Sequence, residues 1–82
     1  MAAPYRPPVE ENTIKSVHTQ IERKTFILTL KENPRGQFLR ITEEAGAHHD
    51  SIVVPASGLP ELHKLLGEMI EVSKQTPPNP LA

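Results

Sequence analysis

The sequence predicts an α+β fold in which a four-stranded antiparallel sheet is followed by one helix, in the order β-β-β-β-α. Two observations lead to this prediction. Apolar and polar residues alternate over the middle of the chain, which is the pattern of half-buried strands. From Leu62 onward the apolar residues recur instead at intervals of three and four, which is the pattern of an amphipathic helix.

A central hairpin is the most distinct predicted element. KTFILTLKE (24–32) and QFLRITE (37–43) both alternate and contain many strand-forming residues. The NPRG sequence between them has Asn first, Pro second and Gly fourth, which are the preferences of a type I turn. Because side chains alternate along strands, Phe38 and Arg40 are expected on one side of this hairpin and Leu39 and Ile41 on the other.

The remaining elements flank this hairpin. SVHTQIE (16–22) alternates more weakly and predicts a strand that turns or bulges at Glu22 and Arg23 into the next one. EEAGAHHD (43–50) is expected to be a polar loop, and residues 51–54 form a short β-branched strand closed by Pro55. Ser57 and Pro60 are plausible helix start signals.

The helix is expected to cover one face of the sheet, because both elements have an apolar side that needs a partner. On the helix that side consists of Leu62, Leu65, Leu66, Met69 and Ile70. On the sheet it consists of Phe26, Leu28, Leu30, Leu39 and Ile41.

Length and composition predict one small folded unit between two tails. Six of the nine prolines fall in residues 1–12 and 76–82, where large aliphatic residues are scarce, so both segments are expected to be flexible and the folded unit to span 13–75. A core of this size, without cysteine for disulfides, stabilises a monomer poorly, and a dimer is therefore expected. The absence of a signal-like or membrane-length apolar run favours an intracellular protein, cytoplasmic and associated with the nucleoid if bacterial.

Charge is distributed unevenly along the chain. The formal net charge is -1, but residues 23–40 carry five basic residues and one acid, so this segment is +4 and the remainder -5. An overall negative charge disfavours a protein that coats nucleic acid through bulk charge. A local group of cations around Phe38 is instead what a single-stranded nucleic acid requires, since bases stack on the ring while cations contact phosphates.

Other chemistry has little support in the sequence. His48, His49 and Asp50 are adjacent in a predicted loop, and with His18 and His63 elsewhere they form no recognisable set of metal ligands. The paired glutamates have no nearby nucleophile or positioned histidine. We therefore expect no metal, no cofactor, no small-molecule substrate and no enzymatic activity.

The segment IERKTFILTLKENPRGQFLRI (21–41) resembles the signature of the PUR repeat, found in the purine-rich-element-binding protein family, whose repeats contain K-x-N-x-x-G-R-F-L-[KR]. The similarity extends more loosely through Ile52, Val53 and the predicted helix. The resemblance implies a whirly-like PUR fold in which two repeats intertwine, with their helices crossing between the sheets. Since this chain has one repeat, it implies an intertwined homodimer that binds purine-rich single-stranded DNA or RNA.

The same resemblance implies the contact residues. Lys31, Asn33 and Arg35 fall on the turn positions that contact nucleic acid, Phe38 falls on the stacking aromatic, and Lys24 and Arg40 match further basic positions. Gln37 departs from the family pattern, which usually has arginine there. The sequence thus predicts a regulatory single-strand-binding homodimer. The alternative is a protein-interaction or structural dimer module that reuses the same fold.

Overall fold

A computed structural model describes residues 11–77, so the predicted flexible tails lie largely outside the described residues. The chain forms four strands, a short 3-10 helix and one α-helix. Their bounds are β1 Asn12–Ile21, β2 Lys24–Asn33, β3 Gly36–Ala45, β4 His48–Pro55, the 3-10 helix Ala56–Gly58 and α1 Leu59–Gln75. The strands form one antiparallel sheet in the order β1-β2-β3-β4. The predicted β-β-β-β-α order is confirmed.

The turns between the strands are short. Glu22 takes a left-handed φ of 56° in the turn between β1 and β2, and Gly36 takes a φ of 135° where Asn33 pairs with it at the end of the central hairpin. The polar loop predicted over 43–50 is wrong. Strand β3 continues to Ala45 and β4 begins at His48, so the pairing of Glu44 with His49 lies within the sheet. Solvent-exposed ends of strands accept polar residues, and residues 43–50 therefore have a composition like that of a loop although most of them are paired in the sheet.

The registers divide the sheet side chains into two faces. Leu28 pairs with Ile41, and Leu30 with Leu39, so these four residues share one side, which we call the apolar face. It comprises Phe26, Leu28, Leu30, Leu39, Ile41, Ile52 and Val54. The opposite side, which we call the basic face, carries Lys31, Phe38 and Arg40, because Lys31 pairs with Phe38. The predicted division of the hairpin residues between two faces is confirmed.

Helix α1 does not cover the sheet of its own chain, and that expectation is wrong. Apart from the adjoining 3-10 helix, α1 has almost no contact with the described elements. The radius of gyration is 17.6 Å, whereas a compact domain of this length would have about 12 Å. The three residues Ala56–Gly58 connect β4 to the helix, and α1 does not fold back over the sheet.

No hydrophobic side chain is buried within the part of the chain that the structure describes. The apolar residues of α1 are among the most accessible: Leu66 is 53% exposed, Met69 61% and Ile70 53%. Those of the central strands are half-buried, because nothing in residues 11–77 lies over them. Within residues 11–77, both apolar surfaces are thus left without a covering layer.

Candidate nucleic-acid interface

The basic face brings an aromatic ring and two cations together on the two central strands, near the hairpin turn. Lys31 on β2 and Phe38 on β3 are directly opposed, which places their Cβ atoms about 5 Å apart. Arg40 follows Phe38 by two residues on the same face and is a diagonal neighbour of Lys31, at about 7 to 8 Å. Strand pairing therefore fixes the ring beside two cationic side chains.

The guanidinium of Arg40 lies low on this face. Arg40 pairs with Thr29 on one side and Val53 on the other, and its side chain is half-buried. Its Nε atom is shielded from solvent and has no hydrogen-bond partner within the described residues. A shielded charged donor without an acceptor carries an energetic cost.

The hairpin turn holds the other two predicted contact residues. The Oδ1 atom of Asn33 accepts a hydrogen bond from the backbone N–H of Arg35 at 2.8 Å, which is the local bond that asparagine commonly makes in turns. This bond orients the Asn33 side chain, and its NH2 group has no hydrogen-bond partner among residues 11–77. Arg35 is exposed at the tip of the turn.

A recess of about 410 Å³ adjoins Phe38. It is bounded by Arg35 at the turn and by Val53 and Pro55 of β4. Pro55 pairs with Phe38, and Val53 with Arg40, so β4 forms one wall of the recess. Sequence reasoning did not identify this contribution of β4, since only the β3–β4 register brings those residues to the ring.

Lys24 lies apart from the other predicted contact residues. It is on the side of the sheet that carries Phe26, at the opposite end of β2 from the hairpin turn. Its Nζ atom is 3.2 Å from Oε1 of Glu43, which is itself directly opposite Asp50. Like charges opposed across strands are unfavourable, so Lys24 is placed to offset this acidic pair.

Two further expectations concern metals and membranes. Within residues 11–77 no three histidine, aspartate or glutamate side chains are grouped closely enough to hold a metal ion. In the same residues no helix has the length and apolar character needed to span a membrane.

Comparison with known proteins decides the family. The family model described as "PurA ssDNA and RNA-binding protein" matches residues 4–77, which is most of the chain. The chain belongs to the PurA family. The description of that family names nucleic-acid binding and no reaction. The PUR resemblance of residues 21–41 is thereby confirmed and extends over the sheet and the helix.

Two curated PurA relatives are similar to this chain. "Transcription factor Pur-alpha 1" of Arabidopsis thaliana is 40% identical over 70 residues, covering 83% of this chain and 24% of that protein. "Transcriptional activator plp-1" of Caenorhabditis elegans is 36% identical over 66 residues, covering 77% of this chain and 29% of that protein. The chain therefore spans about a quarter of the length of these relatives.

Proposed function

We propose that this chain is a homodimer that binds purine-rich single-stranded DNA or RNA on its basic face. The observation that carries the proposal is the arrangement of Phe38 beside Lys31 and Arg40, on the side of the sheet opposite the leucines. A base stacks on the ring, and the cations contact the flanking phosphates. Membership of a family described as binding single-stranded DNA and RNA supports this assignment.

Each contact residue has a distinct part in the proposed complex. The recess beside Phe38 receives the stacked base, with Val53 and Pro55 as its apolar wall. Arg35 at the tip of the turn contacts a phosphate outside the recess. The free NH2 group of Asn33 donates to an acceptor on a base edge, since its Oδ1 is already occupied by Arg35 N–H. Lys24 has no part in this site, because it lies on the other face and pairs with Glu43.

The proposed dimer gives the two uncovered apolar surfaces a partner. The apolar side of α1 is long enough to cross a neighbouring sheet, since its 17 residues span about 25 Å. Exchange of helices between two copies would lay each helix on the other copy's apolar face and form one shared core. The basic faces would remain accessible on the outside of that dimer.

The relatives' names suggest where such a protein acts. One is called a transcription factor and the other a transcriptional activator. We extend this to the present chain as a regulatory role in an intracellular compartment that contains nucleic acid. Binding without catalysis is sufficient for that role.

Fluorescence anisotropy with labelled purine-rich and pyrimidine-rich single strands, repeated over a salt series, tests the proposal. We expect tighter binding to the purine-rich strand and an affinity that falls as salt rises, because phosphate contacts release counterions. Phe38→Ala should weaken binding about five- to 150-fold, which corresponds to the stacking of one base at about 1 to 3 kcal/mol.

The chain has two phenylalanines on opposite faces, so Phe26→Leu is compared with Phe38→Leu, which makes the same change on the basic face. Phe26→Leu removes an aromatic ring from the apolar face and should leave affinity within about twofold of wild type, provided that circular dichroism shows both variants folded. Equal weakening by the two substitutions would contradict the proposed site. Absence of binding by the folded wild-type protein would favour the protein-interaction alternative.

A further inference from the structure

Strand β1 contains a bulge that reverses the side of the sheet faced by its first residues. From Lys15 to Ile21 the strand keeps one register with β2, in which Lys15 pairs with Leu30 on the side of the apolar face. The register shifts between Thr13 and Lys15, so that Thr13 pairs with Lys31. Side chains alternate with a period of two, and without this extra residue Thr13 would lie on the side of Lys15. The bulge turns the start of β1 toward the basic face.

The residue that this bulge brings to the basic face is Glu11. Glu11 lies two positions before Thr13, and its Oε2 atom is 3.2 Å from the Nζ atom of Lys31. Among the ion pairs of residues 11–77 this pair is the least accessible, with side chains 22% and 35% exposed. The Lys24–Glu43 pair, by comparison, is 53% and 39% exposed.

Lys31 thus differs from the other cations of the site. Within the described part of the chain neither Arg35 nor Arg40 forms an ion pair. The ammonium of Lys31 is a compact charge with three donors, and one of its anionic partners is here supplied by the protein itself. A phosphate that approaches Lys31 meets a carboxylate at the same position.

We infer that Glu11 is a part of the single-strand site that competes with phosphate for Lys31 and thereby lowers the affinity. The inference rests on the proposed function. Glu11 reduces the positive charge beside Phe38, so the site depends more on base stacking and less on phosphate attraction. Bulges frequently serve to redirect a side chain, which accounts for the register shift at this position.

Glu11→Gln tests this role in the full chain, with a labelled purine-rich single strand and anisotropy measured over a salt series. We expect binding about two- to fivefold tighter than wild type, which is the range of a partly exposed ion pair. The slope of log affinity against log salt should steepen by less than about 0.7, the contribution of one full phosphate contact on a single strand, because Lys31 becomes fully available to phosphate.

Glu43→Gln is the matched control, because it makes the same charge change and removes an ion pair of the same length from the other face. It should change affinity less than Glu11→Gln does. The gain from Glu11→Gln should also shrink in a Lys31→Gln background, since the carboxylate is inferred to act through the ammonium.

The outcomes separate this inference from the proposed function. If wild type binds the single strand and Glu11→Gln does not change its affinity, the role of Glu11 is overturned and the proposed function stands. The same holds if Glu43→Gln strengthens binding as much as Glu11→Gln does. Equal gains with and without Lys31 also overturn the role of Glu11. No binding by folded wild type or by any variant overturns the proposed function and the inference together.

Discussion

The apolar side of α1 gives a quantitative prediction about assembly. Met69 lies in the middle of the helix and is 61% exposed in the single chain. Complete burial of a methionine contributes about 1.5 to 3 kcal/mol, so covering the exposed part contributes about 1 to 1.8 kcal/mol. A symmetric dimer buries Met69 twice, once from each copy of the chain. Met69→Ala should therefore destabilise the proposed dimer by about 2 to 3.6 kcal/mol and raise its Kd about 30- to 450-fold.

Sedimentation velocity over a dilution series measures this change directly. Glu71→Ala is the control, because it shortens a side chain on the polar side of the same helix. The Glu71 side chain is 65% exposed and, within residues 11–77, pairs only with Lys74. It should leave the dimer Kd within about twofold, since an exposed pair of this kind contributes little. A wild-type protein that sediments as a stable, folded monomer at micromolar concentration would refute the reasoning, as would equal effects of the two substitutions.

Two other predictions concern the sheet. Lys31→Gln should weaken single-strand binding and make its salt slope shallower by less than about 0.7, the contribution of one full phosphate contact, because Glu11 already competes for the ammonium. Lys24→Gln should change neither, because it lies on the other face, and equal effects in anisotropy titrations would contradict this division. Gly36→Ala should lower the free energy of unfolding by about 1 to 3 kcal/mol, because a φ of 135° is strained for any residue with a Cβ, although the space around it is open. Urea denaturation monitored by circular dichroism measures the second effect, and an unchanged midpoint would show that the turn relaxes without cost.

Much of the sheet follows from local patterns. The alternation in residues 24–32 and 37–43 is a direct consequence of backbone geometry, so it indicated both the strands and the side on which Phe38 and Leu39 lie. The NPRG turn likewise set the register of the hairpin. The extent of β3 and β4 was not recognisable, because EEAGAHHD has the composition of a loop and is held in the sheet by its pairing with neighbouring strands.

In the candidate site, too, local sequence patterns identified some residues and the pairing of strands decided the others. Lys31, Phe38 and Arg40 were identified from the sequence because all three lie on one hairpin whose register is local. Three other features depend on pairings between strands or on a bulge. They are the wall of the recess formed by β4, the placement of Lys24 on the opposite face, and the contact of Glu11 with Lys31. No short-range pattern encodes those pairings.

The sequence by itself determined the element order, the two faces of the central hairpin and the apolar side of the helix, since each depends on a periodicity of two or 3.6 residues. The tertiary structure decided where the helix goes. After the three residues Ala56–Gly58, α1 does not pack on its own sheet, although the apolar patterns of the helix and the sheet predicted that they would pack together. Amphipathic patterns specify that a surface needs a partner, and only the direction of the connecting chain decides whether that partner lies in the same molecule.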